Sequence, residues 1–305
     1  MAGRTVIVTD STASLPAEVA AARGIVVVPL QVVIGATVYD EGAEGATPEL
    51  VAQALRDFRP VSTSRPAPAA LLDVYEKAGA DGAAGVVSIH LSGEMSGTYE
   101  SALLAARDAS IPVTVVDTRQ VGVATGYAAL SAADVIDSGG TAERAAEAAG
   151  RRAAGATALF YVDTLEYLRR GGRIGAAAAL FGGALAVKPL LQIRDGRVAN
   201  LERVRTSARA LSRMEDLLVE AAGGRAVDVC VSHLANPDRA GDLAGRLGER
   251  LAANLEGRPV WCGELGAVLG AHVGPGMVAA CVAPLLVDGV VPESGSGPAS
   301  RPQDA

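Results

Sequence analysis

At 305 residues the chain is long enough for two modest domains or one large one around a substantial buried core. Half of it is hydrophobic but only 3% is aromatic, so Ala, Val, Leu and Gly fill the interior and little ring surface is left for stacking on bases. The net charge is −7 and the basic residues are scattered, which excludes the concentrated basic face that a nucleic-acid partner needs.

In the first half, short Val/Ile-rich strands alternate with helical segments. Strands are predicted over 5–9, 25–33, 85–90, 113–117 and 158–162. Helices are predicted over 16–23, 48–58, 67–78, 99–108, 126–137 and 141–153, with Thr47-Pro48 supplying an N-cap hydroxyl and a first-turn proline. This alternation predicts an α/β fold whose N-terminal domain, residues 1–160, holds a parallel, doubly wound sheet.

Beyond residue 160 the pattern changes. A helix over 165–170 stops at Gly171-Gly172, and a small-residue helix over 176–187 precedes Pro189. The segment LLQIRDGRVANLERV reads as a hairpin turning on Asp195-Gly196. Helix 207–222, strand 226–233 and helix 237–255 follow, so residues 161–288 are expected to form a second α/β domain with a mixed sheet. The Pro/Gly/Ser-rich tail, 289–305, reads as disordered.

Three well-separated cysteines, Cys230, Cys262 and Cys281, offer neither a disulfide framework nor zinc-ligand spacing, and Cys230 and Cys281 lie in apolar runs as core thiols. The N-terminus enters a strand directly without a signal-peptide pattern, and no apolar run is long enough to span a bilayer. A cytoplasmic location with no integral membrane association is the expectation.

Candidate chemistry gathers after the strands, in hydroxyl-rich segments read as turns. The richest are VSTSRP (61–66) and HLSGEMSGTYES (90–101). In a doubly wound sheet, ligands bind beyond the carboxyl ends of the strands, where helix N-termini and hydroxyls favour an anion. Asp10, Asp117 and Asp163 each end a strand; they suit turn caps better than a metal site, although both uses fit the sequence. His90 and His233 read as structural, whereas His272 in AHVGPG stands before a turn that cannot continue a helix. Neither GxxxxGK[ST] nor GxSxG is present, and Ser96 has no evident general base.

At these residues the sequence resembles the DegV family of FakB-type fatty-acid-binding proteins. The matching segments are VTDSTASLP (8–16), TSRPAP (63–68), IHLSGEMSGTYESA (89–102), VVDTRQ (115–120), YVDTLEYLRRGGRIG (161–175), KPLLQIRDG (188–196) and GAHVGPG (270–276). The resemblance implies a two-domain fold that binds a long-chain fatty acid in a tunnel. It implies head-group contacts from Thr63, Ser64, Ser96, Gly97, Thr98 and His272, with Arg173 and His272 near the site of phosphotransfer. Arg65 stands where the family commonly has Gln. No cofactor, metal or catalytic residue is implied; a separate FakA-type fatty acid kinase subunit would make the acyl phosphate. The alternative is a self-sufficient small-molecule kinase or hydrolase acting on an acyl substrate through Ser96.

Overall fold

Pro29 divides the apolar run predicted as one strand over 25–33. Lacking an N–H, proline interrupts a ladder, and the two halves join different sheets. The computed structural model describes residues 3–180 and 188–286. Its strands begin with β1 (Thr5–Asp10), β2 (Ile25–Val28), β3 (Gln31–Ile34), β4 (Thr37–Asp40), β5 (Val61–Ser64), β6 (Gly85–His90) and β7 (Val113–Asp117). They continue with β8 (Thr157–Tyr161), β9 (Lys188–Arg194), β10 (Arg197–Val204), β11 (Val227–His233), β12 (Trp261–Glu264) and β13 (Val278–Pro284).

The parallel sheet has the order β2-β1-β6-β7. Helices Val123–Asp137 and Ala142–Gly155 cover one face through an alanine-rich seam. Helices Pro68–Ala80 and Thr98–Asp108 cover the other with Leu71, Tyr75, Ala102 and Ala105. Covered on both faces, its strands are rich in Val and Ile, as sheets buried on both sides require.

The mixed sheet has the order β10-β9-β8-β13-β11-β12, in which only β11 and β12 pair in parallel. Strand β8 therefore belongs to this sheet and not to the parallel one with which its position in the alternation groups it. One face packs on helices Ser207–Ala222 and Pro237–Arg250 through Met214, Leu218, Leu243 and Leu247. The hairpin turn is as expected: Asp195 and Gly196 have φ of 53° and 78°, the pair of positive values that suits a tight two-residue connection.

Two helical predictions need correction. The helix over 237–255 breaks at Leu251 into Pro237–Arg250 and Ala252–Leu255. Of the helix over 176–187, residues 175–180 form a 3₁₀ segment and 181–187 lie outside the described residues, as does the tail from 289.

A third, antiparallel sheet, β4-β3-β5, was not legible in the sequence. The segment 61–66, read as a turn, places Val61–Ser64 in its strand β5, with Val32 opposite Thr63. Side chains alternate along a strand, so Thr63 turns inward while Ser62 and Ser64 are exposed.

Candidate functional site

The small sheet carries Thr63, and helix Ala267–Val273 packs against it through Val268 and Ala271, which meet Leu30, Val32 and Ile34. Glu41 fixes the start of this helix, accepting a 2.7 Å hydrogen bond from the Val268 N–H; burial raises its pKa above the ordinary carboxylate value. The helix ends at Gly274, whose φ of 75° suits a residue without a Cβ. Two residues earlier stands His272, and its Nε2 lies 2.9 Å from Thr63 Oγ1.

The His272 ring sits so close to Gly171 that a Cβ there would lie 2.2 Å from Nδ1. Nδ1 is buried and has no hydrogen-bond partner among the described residues. Burial among apolar side chains, reinforced by the Arg173 charge, lowers the His272 pKa to about 4. The imidazole is therefore neutral at pH 7. Arg173, just after Gly171-Gly172, donates from Nε to Met95 O at 3.0 Å and from Nη1 to Gly171 O at 2.5 Å. Among the described residues no carboxylate forms an ion pair with it, so its positive charge is not neutralised locally.

Ser96 comes from the loop after β6. Its Oγ lies 2.9 Å from Thr98 Oγ1 and accepts a 3.3 Å bond from the Thr98 N–H at the start of helix Thr98–Asp108. Thr63, Ser96, Arg173 and His272 all line one cavity. The other walls are largely apolar and include Leu91, Met95, Val123, Phe160, Ala279 and Met277. Cys230 and Cys281 line it too, as buried thiols, and burial pushes Cys230 up to about 11. The core positions predicted for both cysteines hold, but nothing in the sequence indicated that this part of the core is hollow.

Ser64, Gly97 and Thr98 do not line the cavity. Ser64 Oγ donates to Gln31 Oε1 on the outer face of the small sheet. Gly97 O accepts from Arg65 Nη1 at 3.2 Å, and Thr98 is fully buried behind Ser96. Arg65 also pairs with Glu100 at 3.1 Å.

The strand-ending carboxylates do not converge. Asp10 caps Thr12, Asp117 accepts from the Gly93 and Arg119 N–H groups, and Asp163 meets Tyr161 and Lys188. Among the described residues no group of three metal-ligating side chains occurs. A Ser88–His90–Asp10 chain does exist, with Ser88 Oγ 2.8 Å from His90 Nε2 and His90 Nδ1 2.9 Å from Asp10 Oδ2. Ser88, His90 and Asp10 have no exposed surface, and the equally buried Tyr75 hydroxyl occupies the serine at 2.8 Å. It is a satisfied core network. His233 packs near Glu264, accepting from the Asn236 N–H.

The residues just described lie in segments whose likeness to known proteins spans the whole fold. Residues 4–285 match the family described as "Uncharacterised protein, DegV family". The chain belongs to the DegV family. A DegV domain-containing protein of Streptomyces coelicolor is 52% identical over 92% of this chain and 99% of its own length. A DegV family protein from Thermus thermophilus, described by its fatty acid binding, superposes with a TM-score of 0.83 at 33% identity, covering 92% of this chain and all of that one. DegV from Bacillus subtilis, described as a fatty acid binding protein, gives 0.85 at 31% identity over 93% of this chain and all of that one. The α/β architecture of this DegV chain is thus that of solved family structures. Among the described residues, no helix is long and apolar enough to cross a membrane.

Proposed function

We propose that this chain is a carrier that holds a long-chain fatty acid by its carboxylate and presents it to a separate fatty acid kinase subunit for acyl-phosphate formation. The observation that carries this reading is the polarity of the cavity. An unneutralised Arg173 and the hydroxyls of Thr63 and Ser96 share it with walls that are otherwise mostly apolar. Fatty acid binding by the Thermus and Bacillus relatives supports the same reading.

Each methylene removed from water contributes about 0.8 kcal/mol, so the tail supplies most of the affinity. The polar end must offset the desolvation of a carboxylate. If His272 Nε2–H donates to Thr63 Oγ1, the Thr63 hydroxyl hydrogen is left free to donate to the ligand. Two hydroxyls, that of Thr63 oriented by the neutral imidazole, hold the head group without a tight ion pair at every oxygen, which keeps it available to react. Thr63 and Ser96 are the head-group donors; Arg173 and His272 act at phosphotransfer. The chain carries no catalytic residue of its own and works in the cytoplasm.

Mass spectrometry of an organic extract of the purified chain tests this reading, with co-purifying fatty acid as the expected result. Failure to carry or bind any fatty acid would refute it. Arg173→Ala and His272→Ala are expected to lose phosphorylation by a kinase partner while keeping most of the binding. ATP turnover or ester hydrolysis by the isolated chain would favour the self-sufficient enzyme instead.

A further inference from the structure

Helix Ala267–Val273 brings His272 to one end of the mixed sheet, and the cavity runs away from it along β13. Met277, Ala279 and Cys281 line it in turn, a span of about 13 Å at the usual rise per strand residue. At the far end Cys281 pairs with Ala158 on β8 and with Cys230 on β11, and Cys230 pairs with Trp261 on β12. Residues in register across a sheet share a face, and Trp261 packs on the same cluster as Val123, Cys230 and Cys281.

Tyr127, from helix Val123–Asp137, joins that cluster. Its ring lies 5.6 Å from the Trp261 ring, inclined at 34°. The Arg152 guanidinium lies 5.5 Å from the Tyr127 ring centre. Arg152 is itself buried and tied to Asp228 and to the Pro284 carbonyl. Tyr127 is thereby held against both an aromatic neighbour and a fixed cation. Tyr127 and Trp261 also line a separate pocket, together with Leu130, Pro259 and the charged Arg23, Asp134, Asp228 and Arg258.

We propose that the Tyr127–Trp261 pair is the floor of the acyl tunnel and sets the longest chain this protein accepts. The inference rests on the fatty-acid reading and assigns the far end of the same site. A methyl terminus reaching Cys230 and Cys281 still meets soft apolar surface. One or two carbons further, the tail must displace a ring held by an aromatic neighbour and a fixed cation before it can reach the pocket beyond. Longer acids therefore lose affinity instead of gaining it.

Trp261 is the single tryptophan in the chain, so emission excited at the red edge, where tyrosine does not absorb, reports this position alone. Delipidated full-length protein is titrated with two bromine-labelled hexadecanoic acids, one labelled at the terminal carbon and one beside the carboxylate, with calorimetry recording binding. The terminal label is expected to quench Trp261 and the carboxylate-side label to leave it bright. Binding without terminal quenching, or stronger quenching by the carboxylate-side label, overturns the floor assignment alone. No binding of any acid by calorimetry refutes the carrier reading and the floor with it. In Trp261→Ala, each methylene newly admitted is expected to raise affinity about fourfold, so the preferred saturated chain lengthens. An unchanged length preference in a folded variant also overturns the proposal. Should that variant not fold, the quenching experiment on the native sequence decides.

Discussion

Thr63 Oγ1 and His272 Nε2 stand 2.9 Å apart although 209 residues separate them in the chain. The pair joins the small antiparallel sheet to the helix laid across it, and it faces the cavity that Arg173 and Ser96 also line. Four side chains from four separate segments meet there because three sheets and one short helix bring them together.

The hydroxyls are the most direct test of this arrangement. Thr63→Ala and Ser96→Ala each remove a proposed head-group donor, and each is expected to weaken fatty-acid retention about ten- to a hundredfold. Displacement of a fluorescent fatty acid measures the loss. Unchanged retention in the double variant would sink the head-group assignment.

His272 makes stability depend on pH in a defined window. The unfolded imidazole takes up a proton below about pH 6.5, whereas the folded one, with its pKa lowered to about 4, resists protonation until that lower value. Between the two the unfolded state binds more protons, so stability is full above pH 6.5 and falls as the pH drops towards 4, by up to about 3 kcal/mol. Urea unfolding at several pH values is expected to show this decline, and His272→Gln to flatten it. An NMR titration of the three histidines gives the pKa directly; a value near 6.5 for His272 would remove the effect.

Gly171 is expected to be intolerant of even one methyl group. A Cβ there would meet His272 Nδ1 at 2.2 Å and the Tyr167 carbonyl at 3.3 Å, so Gly171→Ala drives the ring into the ligand space. Overpacking of this kind costs about 1–3 kcal/mol. The double variant Gly171→Ala/His272→Ala should recover most of that stability, because the clashing ring is gone. Thermal melts of the three variants close the cycle, and lack of recovery would point to the Tyr167 carbonyl as the true obstacle.

Arg65→Gln is expected to leave stability nearly untouched. The Arg65–Glu100 pair is 49% and 71% exposed in its side chains, and such pairs contribute less than about 1 kcal/mol. Chemical denaturation measures the difference; a larger loss would mean that the arginine stem packs over Gly97 as a structural prop.

The sequence by itself carried the alternation of buried strands and helices, the Asp195-Gly196 turn and the helix 207–222, because each rests on local chemistry: burial period, caps and allowed φ. Through family motifs it also singled out Thr63, Ser96, Arg173 and His272, which line one cavity. It did not carry the split at Pro29 into two sheets, the strand character of Val61–Ser64 or the membership of β8 in the mixed sheet, since pairing partners lie far away along the chain. Tertiary structure alone decided that Thr63 turns inward and Ser64 outward, that Thr98 lies behind Ser96, and that the thiols of Cys230 and Cys281 border a hollow. Whether an apolar residue fills a core or lines a cavity depends on how closely distant segments approach, and no local pattern encodes that distance.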